Sequence, residues 1–185
     1  EIYIDSAFLA TLGEKEIGSG LGEMLHFFLI GGRQDFELFR DTVEDCFNDP
    51  NAIKRLTQRS LGIKKEMIER DEFDQGPRKV FNYGHTFGHA LEGITDYQIP
   101  HGIAVSYGMD IANHISVHLG LLEQTVCSEC RDLLSDIWRG TDFPKIEINR
   151  YLELLSKDKK NVGNKLNLIL TRGLGDMFMH EVVPD

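Results

Sequence analysis

Residues 81–92, FNYGHTFGHALE, and residues 101–113, HGIAVSYGMDIAN, decide how this chain reads. In both, apolar and small residues recur at helical spacing. His85 and His89 stand four apart, so a helix presents them on one face. His101 follows Pro100 at an expected helix start, where an imidazole can face the preceding helix across a short connection. Two histidines and one carboxylate with an open fourth position would suit catalytic zinc, and Glu23 and Glu92 are the candidate carboxylates. Gly84, Gly88 and Gly102 each adjoin a histidine. Glycine weakens a helix but lets a second backbone or a ligand come close. Spacing alone does not decide the matter. His114 and His118 repeat it and read as a solvated helix face.

Working outward, residues 78–94 form the expected histidine helix, on which Arg78, Asn82, His85 and His89 share one face. The next helix runs to about residue 119, and another spans 121–138 before Gly140. Upstream, EIYID (1–5) alternates like a strand. A helix begins near Gly22, because Gly18, Gly20 and Gly22 cost helix stability, and it stops at Gly31–Gly32. Phe36, Phe39, Val43 and Phe47 keep helical spacing until Pro50, and 51–74 is a long amphipathic helix. After a short helix near 148–156 comes a basic loop. KLNLIL and MFMHEVV around a glycine turn then predict a β-hairpin. The fold class is mainly α, a bundle of about six or seven helices with a small terminal hairpin.

Composition narrows the function. The chain has 185 residues and 41% hydrophobic content, enough for a core, with a net charge of −10. Such an acidic chain repels phosphate backbones, which argues against nucleic-acid binding. No apolar stretch approaches the roughly 20 residues that span a bilayer, and the first residues lack a basic leader. Three cysteines suit a reducing, cytoplasmic setting. Cys127 and Cys130 lack the second pair that a zinc site would need, so they read as packed helix residues.

The blocks RKVFNYGHTFGHALE (78–92), HGIAVSYGMDIAN (101–113) and KDKKNVGNKLNLIL (157–170) resemble the C-terminal domain of 3-dehydroquinate synthase. FLATL (8–12) and GLGEML (20–25) resemble the segment where that domain begins. The resemblance covers essentially the whole chain. It implies a helical metal domain that follows an NAD-binding α/β domain absent from this chain. Residues 1–12 would be the end of the nucleotide-binding half with its linker, and 13–185 the metal- and substrate-binding domain.

By motif position the resemblance makes Glu23, His85 and His101 the ligands of a divalent metal, zinc or cobalt, and His89 the proton-handling residue. Lys64, Arg78 and Asn82 would contact an anionic substrate and Lys160 its phosphate. Phe8, Leu9, Ala10 and Thr11 would touch NAD. The implied activity is a metal- and NAD-dependent cyclisation with phosphate elimination. It takes a phosphorylated seven-carbon sugar acid to 3-dehydroquinate, in aromatic amino-acid biosynthesis, and the implied assembly is a homodimer. A guanidinium and point-charge lysines suit such an anion.

One departure stands out. The family usually has a lysine three residues after the metal glutamate, and here it is His26. That histidine could contact substrate with a charge titrating near neutrality, support the centre from outside, or add a ligand. The alternatives are a related cyclase acting on another sugar phosphate, a metal-dependent polyol dehydrogenase, and a non-catalytic metal-binding helical module. A dehydrogenase would accumulate NADH, whereas a cyclase returns its hydride.

Overall fold

The structure is a computed structural model that describes residues 1, 3–156 and 166–182. Its α-helices are α1 (Glu14–Gly31), α2 (Arg33–Arg40), α3 (Pro50–Arg70), α4 (His85–Ile94), α5 (His101–His118), α6 (Gln124–Ile137) and α7 (Ile148–Ser156). Three 3₁₀ turns, Ser6–Thr11, Asp45–Phe47 and Pro77–Asn82, join them. Strands β1 (Leu166–Gly173) and β2 (Asp176–Val182) pair antiparallel, with Leu168 opposite His180 and Leu170 opposite Phe178.

The centre of the molecule is α5. It packs against α1, α4, α6 and β1, and Ile103, Ala104, Val105, Met109 and Ala112 are almost wholly buried. A helix buried on most sides has little amphipathic contrast, which is why 101–118 reads apolar nearly throughout. The hairpin closes one side of the core with Leu168, Ile169 and Leu170. It is tied to α5 by the Thr171 N–H, which donates to Ser116 Oγ at 3.2 Å.

Four boundaries differ from the sequence reading. Tyr3, Ile4 and Asp5 form no strand. Tyr3 and Ile4 are exposed, and extended backbone without a partner has no ladder to join. Helix α1 starts at Glu14, eight residues earlier than expected. Glu16 accepts from the Gly13 N–H at 3.1 Å, and acidic residues in the first turn favour the helix dipole. Two of its glycines face other backbones: a Cβ on Gly18 would lie 3.0 Å from the Ile137 carbonyl, and one on Gly22 would lie 2.2 Å from that of Gly102. Close packing there offsets a propensity loss of about 1 kcal/mol per glycine.

The segment 35–49 is broken rather than one helix. Helix α2 ends at Arg40, and Thr42 turns its hydroxyl onto the Leu38 carbonyl at 2.7 Å. Phe36, Phe39 and Val43 still reach the core. Finally, 78–94 is not one helix. Residues 77–82 form a 3₁₀ turn, Gly84 is left-handed with φ +80°, and α4 begins at His85. Arg78 and Asn82 therefore do not share a helix face with His85 and His89.

Candidate metal centre

Each histidine of the centre, and Glu23, follows or precedes a glycine where two helices meet. Gly22 of α1 and Gly102 of α5 are in backbone contact, and a Cβ on Gly102 would stand 1.7 Å from the Ser19 carbonyl. The Gly102 N–H donates to Ser19 Oγ at 3.0 Å. This crossing sets Glu23, next after Gly22, beside His101, just before Gly102. On the other side of α5, a Cβ on Gly108 would lie 2.0 Å from the Gly84 carbonyl, and one on Gly88 would lie 2.9 Å from Val105. That second crossing brings in His85 and His89. No side chain larger than hydrogen fits at these contacts, so the glycines fix the distances between the polar groups that flank them.

Glu23, His85 and His101 converge, with one ligand atom from each lying within 4.8 Å of the others. Glu23 Oε2 is 3.5 Å from His85 Nε2 and 3.3 Å from His101 Nε2. Both values lie close to the spacing of about 3.3–3.4 Å between ligands on a tetrahedral ion at about 2.0–2.1 Å. The same oxygen is buried and makes no well-aligned hydrogen bond among the described residues. A buried carboxylate oxygen flanked by two imidazole nitrogens fits a divalent cation better than it fits a closed hydrogen-bond network.

The far nitrogens are occupied. His85 Nδ1 lies 3.2 Å from the Tyr83 carbonyl, and His101 Nδ1 lies 3.2 Å from both oxygens of Glu92. Donation from Nδ1 leaves the Nε2 lone pairs aimed at Glu23. Burial alone would raise the Glu23 pKa, but the His101 and His85 rings, with help from His26, hold it well below the usual carboxylate range. His101 is raised to about 9, mainly by Glu23 and, against some burial, by Glu92. Both directions favour a carboxylate facing a protonated imidazole when no ion is bound.

His89 sits exposed on α4, its ring 5.7 Å from that of His85 and stacked at 5.8 Å on that of His101. Glu92 is on α4 as well, but it meets His101 from the side opposite Glu23. His26 is buried, 2% exposed, against Phe27 and edge-on to His85. Burial pushes its pKa down to about 3, with His85 and Lys64 adding to the shift against Glu23. These surroundings favour the neutral ring, and so support of the centre from outside over a charged substrate contact.

Lys64 on α3 is exposed and lies 5.9 Å from the centre of the Phe27 ring. Phe81 of the 3₁₀ turn packs edge-on against the same ring at 4.9 Å. The lysine and the turn carrying Arg78 and Asn82 thus meet beside His26. The Asp71 carboxylate shapes that turn by accepting from the Gln75, Gly76 and Arg78 N–H groups. Arg78 donates to the Glu72 carbonyl at 2.9 Å, and Asn82 to the Lys79 carbonyl at 3.0 Å.

Phe8, Leu9, Ala10 and Thr11 lie in the first 3₁₀ turn, with Phe8 79% exposed. Leu9 lines a cavity of about 230 Å³ with Ile17, Met24 and Ile53. Lys160 lies outside the described residues. Sequence reasoning missed Ser19 and the Tyr83 carbonyl. The serine sits within GSGLGE, where a hydroxyl among glycines is a signal of close backbone approach. A carbonyl leaves no such mark.

Residues 20–161 match the family described as 3-dehydroquinate synthase C-terminal. The 3-dehydroquinate synthase of a Sulfurovum species is 35% identical over 185 residues, all of this chain and 51% of that protein. That of Halorhodospira halophila is 38% identical over 177 residues, 95% of this chain and 50% of that protein. The chain thus spans about half the length of the curated relatives it matches. Two solved structures share its fold at 24% identity. One is 2-deoxy-scyllo-inosose synthase complexed with carbaglucose-6-phosphate, NAD+ and Co2+, with a TM-score of 0.84 over 97% of this chain and 52% of that one. The other is 2-epi-5-epi-valiolone synthase from Streptomyces hygroscopicus subsp. jinggangensis, with NAD+ and Zn2+ bound. Its TM-score is 0.77 over 98% of this chain and 51% of that one.

Proposed function

This chain belongs to the 3-dehydroquinate synthase family by its C-terminal domain, and from that premise we propose that it forms the metal- and substrate-binding part of a cyclase that eliminates phosphate. The substrate is a phosphorylated seven-carbon sugar acid and the product 3-dehydroquinate. The observation that carries the reading is the buried Glu23 Oε2 held 3.3–3.5 Å from two imidazole Nε2 atoms.

Glu23, His85 and His101 would hold the divalent cation, zinc or cobalt. When bound, it supplies Lewis-acid stabilisation of negative charge developing on sugar oxygens. The chain's own residues do the rest. His89, exposed beside the two histidine rings, is placed to take and return a proton at a substrate hydroxyl. Lys64 is a point charge for the anionic end of the substrate. Arg78 and Asn82, on the turn beside Phe27, would bind and orient that end, and Lys160 its phosphate. His26, buried where its neutral form is favoured, would contribute shape at this position rather than charge. That feature favours, as a second reading, a cyclase whose sugar phosphate carries less negative charge near α1.

Among the described residues the sheet is a single antiparallel pair. Neither described strand is the parallel strand with a glycine-rich turn that cradles a dinucleotide pyrophosphate. NAD would therefore be held mainly by the half of the relatives' length that this chain does not span. Residues 1–12 would continue from that half, and Phe8 to Thr11 would touch the cofactor from this side.

The test follows the products. The two-half protein should release one phosphate per substrate without accumulating NADH. Accumulated NADH with no phosphate release would replace this reading with a dehydrogenase. The 185-residue chain alone should bind one zinc and show no turnover.

A further inference from the structure

Glu92 on α4 is a buried carboxylate, 9% exposed. Burying a charge without a partner is costly. Both of its oxygens reach His101, 3.2 Å from Nδ1. His101 needs such a partner. It is the first residue of α5, and its side chain is 43% exposed, so packing does little to fix the ring.

The α4–α5 connection serves the meeting of these two residues. It turns through Asp96 and Tyr97, both left-handed at φ 49° and 59°, a conformation that costs non-glycine residues energy. The Tyr97 N–H donates back to the Glu92 carbonyl at 2.8 Å. The backbone of Glu92 thus anchors the strained turn that carries the chain to His101, while its side chain steers the His101 ring.

We propose that Glu92 is a positioning residue that fixes the tautomer and orientation of His101, with Nδ1–H held by the carboxylate and Nε2 directed at Glu23. The proposal rests on the metal-centre reading. An imidazole whose Nδ1–H is held by a carboxylate is a more basic ligand at Nε2, and it loses no freedom on binding. His89, Glu92 and His101 also form a second trio whose ligand atoms lie within 4.8 Å. The His101 nitrogen that faces Glu92 is the Nδ1 that donates to it, so an ion shared with Glu92 would compete for that nitrogen. With an ion already on Nε2, the ring would have to lose its second proton, so Glu92 acts as hydrogen-bond acceptor and not as a second ligand.

The experiment uses the 185-residue chain. Zinc affinity is measured by competition with a chromogenic chelator. The His101 tautomer is read from long-range ¹H–¹⁵N imidazole spectra with zinc bound. In the wild type, His101 should carry its proton on Nδ1 and coordinate through Nε2. Glu92→Gln should weaken zinc about 10- to 100-fold and move the Nδ1 proton resonance upfield, with one zinc per chain retained. Glu92→Asp should recover part of the affinity. Coordination through Nδ1 in the wild type would overturn the proposal without any variant. So would unchanged affinity and resonance in Glu92→Gln while Glu23→Gln abolishes binding, and that outcome leaves the metal centre standing. Two zinc ions per wild-type chain, falling to one in Glu92→Gln, would also overturn it by making Glu92 a ligand. If Glu23→Gln binds zinc like the wild type, the metal-centre reading itself fails.

Discussion

His85 and His89 on α4 and His114 and His118 on α5 have the same spacing, and they end in opposite surroundings. The first pair lies at a helix crossing with Glu23, Glu92 and His101 around it. The second lies on the outer side of α5, where His114 is half exposed beside Asp110 and Arg131 and His118 is exposed at the helix end. Histidine spacing puts two rings on one face and says nothing about what that face meets. The difference is in the neighbours. Gly84 and Gly88 let α4 touch the α5 backbone, whereas NHISVH (113–118) has no glycine and the side chain that His114 meets from α6 is the cationic Arg131.

The largest break in this contrast comes from filling the crossing. A Cβ at residue 102 would lie 1.7 Å from the Ser19 carbonyl. Gly102→Ala should therefore destabilise by about 3 kcal/mol or more, at or above the upper end of overpacking, and zinc binding should be lost with the geometry. Gly20→Ala on α1 is the control. Nothing lies within 4 Å of its Cβ, so helix propensity should make it neutral or stabilising by up to about 1 kcal/mol. Urea unfolding of the two variants compares them directly, and equal effects would remove the crossing from the explanation.

Removing a ligand should come next. Glu23→Ala or His85→Ala should weaken zinc by more than the roughly 100-fold upper range for groups that only orient ligands. Retention of one tightly held zinc after dialysis in either variant would put the ligand assignment in error.

The pH dependence is smaller and graded. His101 is raised from 6.5 to about 9 by Glu23 and Glu92. Its protonated form stabilises the ion-free chain fully below pH 6.5, and that contribution is lost as pH rises through 9. A cation must displace the same proton. Zinc affinity should accordingly rise about tenfold per pH unit between pH 7 and 8, with close to one proton released per ion. Calorimetry in buffers of different ionisation enthalpy counts that proton, and a count of zero would contradict the bridged arrangement.

The smallest effects sharpen the comparison from the other side. His118→Ala and His114→Ala should leave zinc affinity unchanged. His118→Ala should also shift stability by no more than about 0.5 kcal/mol, as for an ordinary surface site. A drop in zinc affinity for either would show that the second pair belongs to a site after all.

Much of the fold was legible because hydrophobic period and breakers act locally. The spans of α3, α5, α6 and α7 and the hairpin follow from apolar spacing, Pro50, Pro100 and Gly140. The misreadings occur where a distant partner outweighs local preference. Gly18 and Gly22 look like helix breakers until the Ile137 and Gly102 carbonyls pack against them. The run 78–94 looks like one helix until Gly84 turns left-handed against Val105 and Met109 of α5. The centre was legible in part. Residue type and spacing singled out His85, His89 and His101 and left Glu23 and Glu92 as equal candidates for the carboxylate, and the family resemblance chose Glu23.

The sequence by itself determined the kinds of group available. It set two imidazoles on one helical turn, a third at a helix start, glycines beside each, and an acidic composition. All of these follow from composition and local periodicity. Only the tertiary structure decided the distances. It set Glu23 between His85 and His101, put Glu92 behind His101, and buried His26. Those outcomes depend on which backbones can touch, and backbone contact between residues 22 and 102 is a property of the packed helices that no local stretch contains.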